Sequence, residues 1–133
     1  MRNATMAEAV VLDASAVLAD LNDEPGGDVV RALGGGGRIS AVNFTEIITK
    51  LIDKGATADE ARYAAETLDL EVIDADQALA TEAGMLHART RGLGVSLGDR
   101  FCLALGRRSG LPVLTADRQW ASLDVGVEVR LIR

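Results

Sequence analysis

Four acidic residues stand where acid chemistry could be assembled: Asp13, Glu46, Asp99 and Asp117. Asp13, Glu46 and Asp117 each fall within a few residues of the end of an apolar run, just where a helix is expected to begin. In an open parallel sheet such strand ends gather along one edge, where ligands bind. Asp99 would join them from a helix start reached through the loop Gly92–Gly98. Carboxylates crowded in this way repel, and some take up protons unless a cation stands between them. Oxygen ligands without His or Cys favour Mg²⁺ or Mn²⁺ over zinc. Such an ion polarises a phosphoryl oxygen and lowers the pKa of a bound water, which is phosphodiester hydrolysis without a side-chain nucleophile.

Each acid also has a plainer use. Asp13 could cap the helix that follows it. Asn43-Phe44-Thr45-Glu46 and Ser96-Leu97-Gly98-Asp99 both have capping-box spacing, so Glu46 and Asp99 could fold back on their own helix starts. Asp117 could cap the short segment containing Trp120. Carboxylates suit first turns electrostatically, at roughly 0.3–1 kcal/mol each. It is the four together that favour a site.

The elements that must position them follow from periodicity. Ala9–Leu12 reads as a buried strand, and Ala14–Leu21 as a helix with Val17, Leu18 and Leu21 on one face. Pro25 suits the first turn of a helix running to about Leu33. Gly34–Gly37 is a glycine break without the Lys-Ser/Thr of a phosphate-binding loop. Arg38–Val42 is a second strand. Asn43 is expected to cap a helix through Lys54, with Ile47, Ile48, Leu51 and Ile52 as its apolar stripe. Thr57 caps the next helix, to about Leu68. Leu70–Ile73 is a third strand, Asp76–Arg91 a longer helix closed by Gly92, and Ser96 or Gly98 starts a helix through Arg108. Strands at Pro112–Thr115 and Val127–Leu131 complete the pattern. Short apolar strands separated by helices give an α/β class with a mainly parallel five-stranded sheet flanked by helices. Met1–Glu8 reads as a loose leader, and 9–133 as one domain.

The 133 residues, 48% of them apolar, suffice for a core. One cysteine, Cys102, excludes an internal disulfide, and its apolar flanks make it a buried residue rather than a catalytic thiol. No apolar run is long enough to cross a membrane or to act as a secretory signal, so a soluble cytoplasmic protein is expected. The net charge of −6 runs against a nucleic-acid partner. Twelve of the fourteen basic residues are nevertheless Arg, the better phosphate fork, and the second half holds Arg89, Arg91, Arg100, Arg107, Arg108 and Arg118.

Val11-Leu12-Asp13-Ala14-Ser15-Ala16-Val17, Ser40-Ala41-Val42-Asn43-Phe44-Thr45-Glu46, Ser96-Leu97-Gly98-Asp99-Arg100 and Val113-Leu114-Thr115-Ala116-Asp117-Arg118 resemble the motifs of PIN-domain nucleases, in the family's order. The resemblance spans about Val10 to Leu131 and is closest to toxins of the VapC type. It implies a PIN-like, metal-dependent endoribonuclease acting on structured RNA such as tRNA or rRNA. It further implies inhibition by a small cognate antitoxin and a homodimer. By position, Asp13, Glu46 and Asp99 would be metal ligands, with Asp117 binding directly or through water. Ser15 and Thr115 match hydroxyls that orient carboxylates or hold a water, and Asn43 matches a polar position beside the site.

Other readings of the fold differ in chemistry. A haloacid-dehalogenase-type phosphatase needs an Asp two residues after Asp13, where Ser15 stands. A receiver domain needs a late lysine, and the only lysines are Lys50 and Lys54. A non-catalytic PIN-fold binding module, and a PIN nuclease of RNA processing without an antitoxin, remain alternatives. His87 reads as a helix-surface residue. Arg100 and Arg118, each one residue beyond a proposed ligand, either meet substrate phosphate or offset the acids. Trp120 either closes the core or meets a partner.

Overall fold

Every residue of the central strand is apolar, and the alternation of their side chains between its two faces decides the architecture. Val10 and Leu12 belong to one buried cluster and Val11 to another, so strand β1 (Val10–Leu12) is covered on both faces. The structure, a computed structural model, describes residues 8–133. The leader expected over Met1–Glu8 lies outside the described residues except for Glu8, whose carboxylate accepts from Arg130 at 2.6 Å.

The strands are β1, β2 (Gly37–Ser40), β3 (Leu70–Ile73), β4 (Val113–Thr115) and β5 (Val129–Leu131). They lie in the order β3-β2-β1-β4-β5, and every pairing is parallel. The expected α/β sheet is therefore borne out. Because the order runs outward in both directions from β1, the connections leave its C-terminal end on opposite sides, and a crevice opens there.

Helices α1 (Ala14–Leu21), α2 (Gly27–Arg31), α3 (Ala41–Asp53) and α4 (Ala58–Glu66) contribute to the first cluster, with Ala16, Val17, Ala19, Val30, Ile47 and Ala65 buried. Helices α5 (Gln77–Met85), α6 (His87–Thr90) and α7 (Leu97–Ser109) serve the second, through Leu79, Ala83, Leu86 and Phe101–Leu105. Trp120, in a 3₁₀ turn over Arg118–Ser122, is buried in this cluster, which settles its role in favour of the core. Cys102 is likewise fully buried, and His87 is exposed.

Several element ends shift by one or two residues, and three further differences from expectation each have a local reason. Strand β2 ends at Ser40, and Ser40 rather than Asn43 caps α3 by accepting from the Asn43 N–H at 3.2 Å. Glu46 thus lies in the second turn and cannot fold back on the helix start. The helix expected from Pro25 begins only at Gly27. Gly26 adopts φ +90°, and a side chain there would come within 2.5 Å of the Ile132 carbonyl oxygen, so the chain bends before the helix starts. The long helix expected over Asp76–Arg91 divides at Leu86 into α5 and α6, two residues after the weak helix former Gly84.

Candidate active site

Asp13 follows β1 directly and occupies the N-cap position of α1, yet its side chain caps nothing. Instead, the Ser15 hydroxyl donates to Asp13 Oδ2 at 2.6 Å and the Thr115 hydroxyl donates to the same oxygen at 2.8 Å. Thr115 is the last residue of β4, the neighbouring strand, and the main chain locks both hydroxyls in place. Ala116 N–H donates to Ser15 Oγ and Asp117 N–H to Thr115 Oγ1, each at 3.0 Å. With both hydroxyl protons on Oδ2, the carboxylate is fixed and Oδ1 accepts from no described residue. That oxygen is the one free to meet a cation.

Glu46 is held differently. Asn43, fully buried one turn earlier on α3, donates through Nδ2 to Glu46 Oε1 at 2.8 Å and to the Gly98 carbonyl at 2.9 Å. Its Oδ1 accepts from Ser40 Oγ at 2.6 Å. Asn43 therefore ties the end of β2, the acid of α3 and the start of α7 together. The Glu46 carboxylate lies directly on Gly98, where a β-carbon would overlap Oε2 and come within 2.6 Å of Cδ.

Asp99 shares a capping box with Ser96: Ser96 N–H donates to Asp99 Oδ2 at 2.9 Å, and Asp99 N–H donates to Ser96 Oγ at 3.1 Å. Asp117 accepts from the Gln119 N–H at 3.0 Å. For these two acids capping does not exclude a place in the site, since a cap uses only part of a carboxylate's acceptor capacity.

All four acids line one cavity of about 250 Å³ at the C-terminal edge of the sheet, beside Ser15, Ser96 and Lys50. Burial pushes the Asp13 carboxyl up to about 6; the Ser15 and Thr115 hydroxyls oppose the rise, and the Asp99 and Glu46 charges add to it. Burial also raises Asp99, against its bonds from Ser96 and with the Asp117 charge. The buried Cys102 thiol is raised by burial first and then by the charges of Asp13, Asp99 and Glu46, so it is inert. The site thus carries more negative charge than its surroundings tolerate, and a hard divalent ion fits that excess. Among the described residues no three His, Cys, Asp or Glu side chains already form a direct ligand set. An ion keeping part of its water shell suits such spacing.

A second cavity, of about 240 Å³ at the other end of the sheet, has one cation on its wall, Arg31, and that cation is paired with Asp20 at 2.9 Å. It offers no comparable set of converging acids.

The family model for the PIN domain matches residues 10–126. The chain belongs to the PIN-domain family. This PIN domain is similar in fold to the DNA-bound VapBC of Salmonella typhimurium, at TM-score 0.75 and 20% identity, over 95% of this chain and 99% of that one. It is also similar to VapBC-5 of Mycobacterium tuberculosis, a member of a toxin–antitoxin family, at TM-score 0.61 and 26% identity, covering 94% and 98%. A third likeness is to VapC20 of Mycobacterium tuberculosis, a sarcin–ricin loop cleaving toxin, at TM-score 0.70 and 19% identity, covering 90% and 99%. No curated protein matches the chain.

Sequence reasoning passed over two residues of this PIN-domain site. Lys50 follows Glu46 by one helical turn, a spacing that puts both on one face. Gly98, a poor helix former inside the first turn of α7, signals a close approach of another group. Arg100, one of the two candidate phosphate contacts, instead donates through Nη1 to the Ala83 carbonyl of α5 at 3.0 Å and does not line the acid cavity. Arg118 is exposed beside Asp117 without lining it.

Proposed function

We propose that this chain is a divalent-metal-dependent endoribonuclease and the toxin half of a toxin–antitoxin pair. The observation that carries the reading is the convergence of four acids on one cavity at the β1/β4 crevice of a PIN domain. Asp13, Glu46 and Asp99 hold Mg²⁺ or Mn²⁺, and Asp117 joins them directly or through water. When bound, the ion supplies Lewis-acid polarisation of the scissile phosphate and a more acidic water. Ser15 and Thr115 fix Asp13 so that one oxygen faces the cavity, and Asn43 fixes Glu46. The lining hydroxyls are engaged, Ser15 with Asp13 and the Ala116 N–H and Ser96 as the cap of α7, so hydrolysis by water is the chemistry this set supports.

The substrate is structured RNA of the tRNA or rRNA class. The likeness to VapBC assemblies supports a small antitoxin partner; in this reading that partner sets a basic side chain against the acids, and the toxin is a homodimer. Among the described residues no helix is long and apolar enough to cross a membrane; the place of action in this reading is the cytoplasm.

Labelled tRNA and rRNA fragments test this. Cleavage is expected with Mn²⁺ or Mg²⁺, to stop with EDTA and to return when metal is restored. Addition of the co-purifying antitoxin should suppress it. Cutting that persists undiminished in EDTA would remove the metal from the mechanism and the proposal with it.

A further inference from the structure

The acid cavity has one cation on its wall, Lys50. It stands four residues after Glu46 on α3, the spacing at which a glutamate and a lysine ordinarily pair. Among the described residues Lys50 has no ion-pair partner. The reason lies with Glu46. Its carboxylate is drawn toward the start of the helix by Asn43 Nδ2 and rests on Gly98, whereas Lys50 lies toward the helix end.

Lys50 also lines an adjoining cavity of about 310 Å³, which shares Ser15 and Leu18 with the first. The other cations there are paired within the same cavity, whose acids are Glu24 and Asp53: Lys54 with Glu24 at 3.6 Å, and Arg133 with Glu24 at 3.1 Å. Lys50 is thus the one unpaired cation, among the described residues, along the whole groove. Merely offsetting the acids would be done best in contact with one of them, and no such contact forms. Once a divalent ion offsets part of the carboxylate charge, an exposed ammonium at the edge of that site is available to an anion.

Resting on the nuclease reading above, we infer that Lys50 binds a backbone phosphate of the RNA where the strand passes from the acid cavity into the adjoining one. The ligand is a phosphodiester anion, recognised by charge and without regard to base. Lysine suits this, as a compact charge on a flexible stem.

The test is binding of a labelled single-stranded RNA by fluorescence anisotropy, with Ca²⁺ standing in for Mg²⁺, across a salt series. Lys50→Gln is expected to weaken binding about three- to tenfold at 0.1 M salt and to flatten the slope of log affinity against log salt by about 0.7. Lys50→Arg should restore most of both. Arg62→Gln removes the same charge from α4, where Arg62 is paired with Asp59 and Glu66, and should leave the slope alone. An unchanged slope in Lys50→Gln, or a rise in metal affinity as its sole effect, would overturn the inference and assign Lys50 to charge balance. Because the readout is binding, it is separate from turnover. Wild type that binds with the full slope yet never cuts would sink the nuclease reading and leave the phosphate contact standing.

Discussion

Replacing Asp13 by Asn is expected to stabilise the metal-free protein by about 3 kcal/mol at pH 8. The same change should slow RNA cleavage by on the order of a thousandfold, the loss of several kcal/mol of transition-state stabilisation. The two effects have one origin. Asp13 is only 5% exposed, and its carboxyl titrates near 6 in the folded protein against an ordinary 3.8. Between those values the folded state binds more protons than the unfolded one, so stability falls as pH rises through that window. Above about 6 the penalty is complete; near pH 4 and below it is absent. Asn carries no charge to desolvate, and its Oδ1 still accepts from Ser15 and Thr115. The gain should therefore be nil near pH 4 and full by pH 7 to 8, as urea unfolding at pH 4, 6 and 8 would read. An Asp13→Asn protein less stable than wild type at pH 8 would mean that the two hydroxyls need a carboxylate, and burial would not be the dominant effect.

Metal binding obeys the same linkage. An ion at Asp13 has to displace the proton that burial favours, so the Mn²⁺-induced rise in melting temperature should be small at pH 5 and full above pH 7. In the Asp13→Asn variant little of that rise should survive at any pH.

How far the site was legible depended on what each residue had to do. Asp13, Asp99 and Asp117 could be read because chain position alone, an acid just past an apolar strand or at a helix start, places it on the ligand-binding edge of a parallel sheet, and Glu46 because it lies one turn into the helix that follows β2. The strands were legible for a related reason: Val10–Leu12 and Val113–Thr115 are buried on both faces and read as short, almost wholly apolar runs, Thr115 being the one polar residue. The cap of α3 was not. Ser40 and Asn43 are both good caps, and the choice turns on where β2 stops pairing with β3, at Ser40 opposite Ile73. That is a long-range fact, invisible in a local window. The role of Arg100 was hidden similarly, because its guanidinium reaches an α5 carbonyl seventeen residues away. In sequence, capping and ligation look like rival uses of Asp99 and Asp117, whereas each carboxylate has two oxygens and the cap occupies only one of them.

Gly98 yields the sharpest separation of site from scaffold. Gly98→Ala is expected to lower cleavage about a hundredfold, as loss of a supporting contact to a metal ligand does, while changing unfolding free energy by no more than about 1 kcal/mol. The new methyl would occupy the place of the Glu46 carboxylate, coming within 2.6 Å of Cδ and 2.7 Å of Oε1. That carboxylate is the end of a flexible chain, so it moves rather than the helix, and alanine's better helix propensity at α7 offsets the crowding. Asn43→Ala removes the same restraint from the other side but should behave differently. It removes the side-chain bonds to the Gly98 carbonyl and from the Ser40 hydroxyl, at about 0.5–1.5 kcal/mol each, although Ser40 Oγ still accepts from the N–H of residue 43, so stability and activity fall together. Glu46→Asp in the Gly98→Ala background shortens the acid to make room for the methyl and should recover part of the rate. Wild-type cleavage by Gly98→Ala, with unaltered metal dependence, would show that the reaction does not need Glu46 where Asn43 and Gly98 hold it.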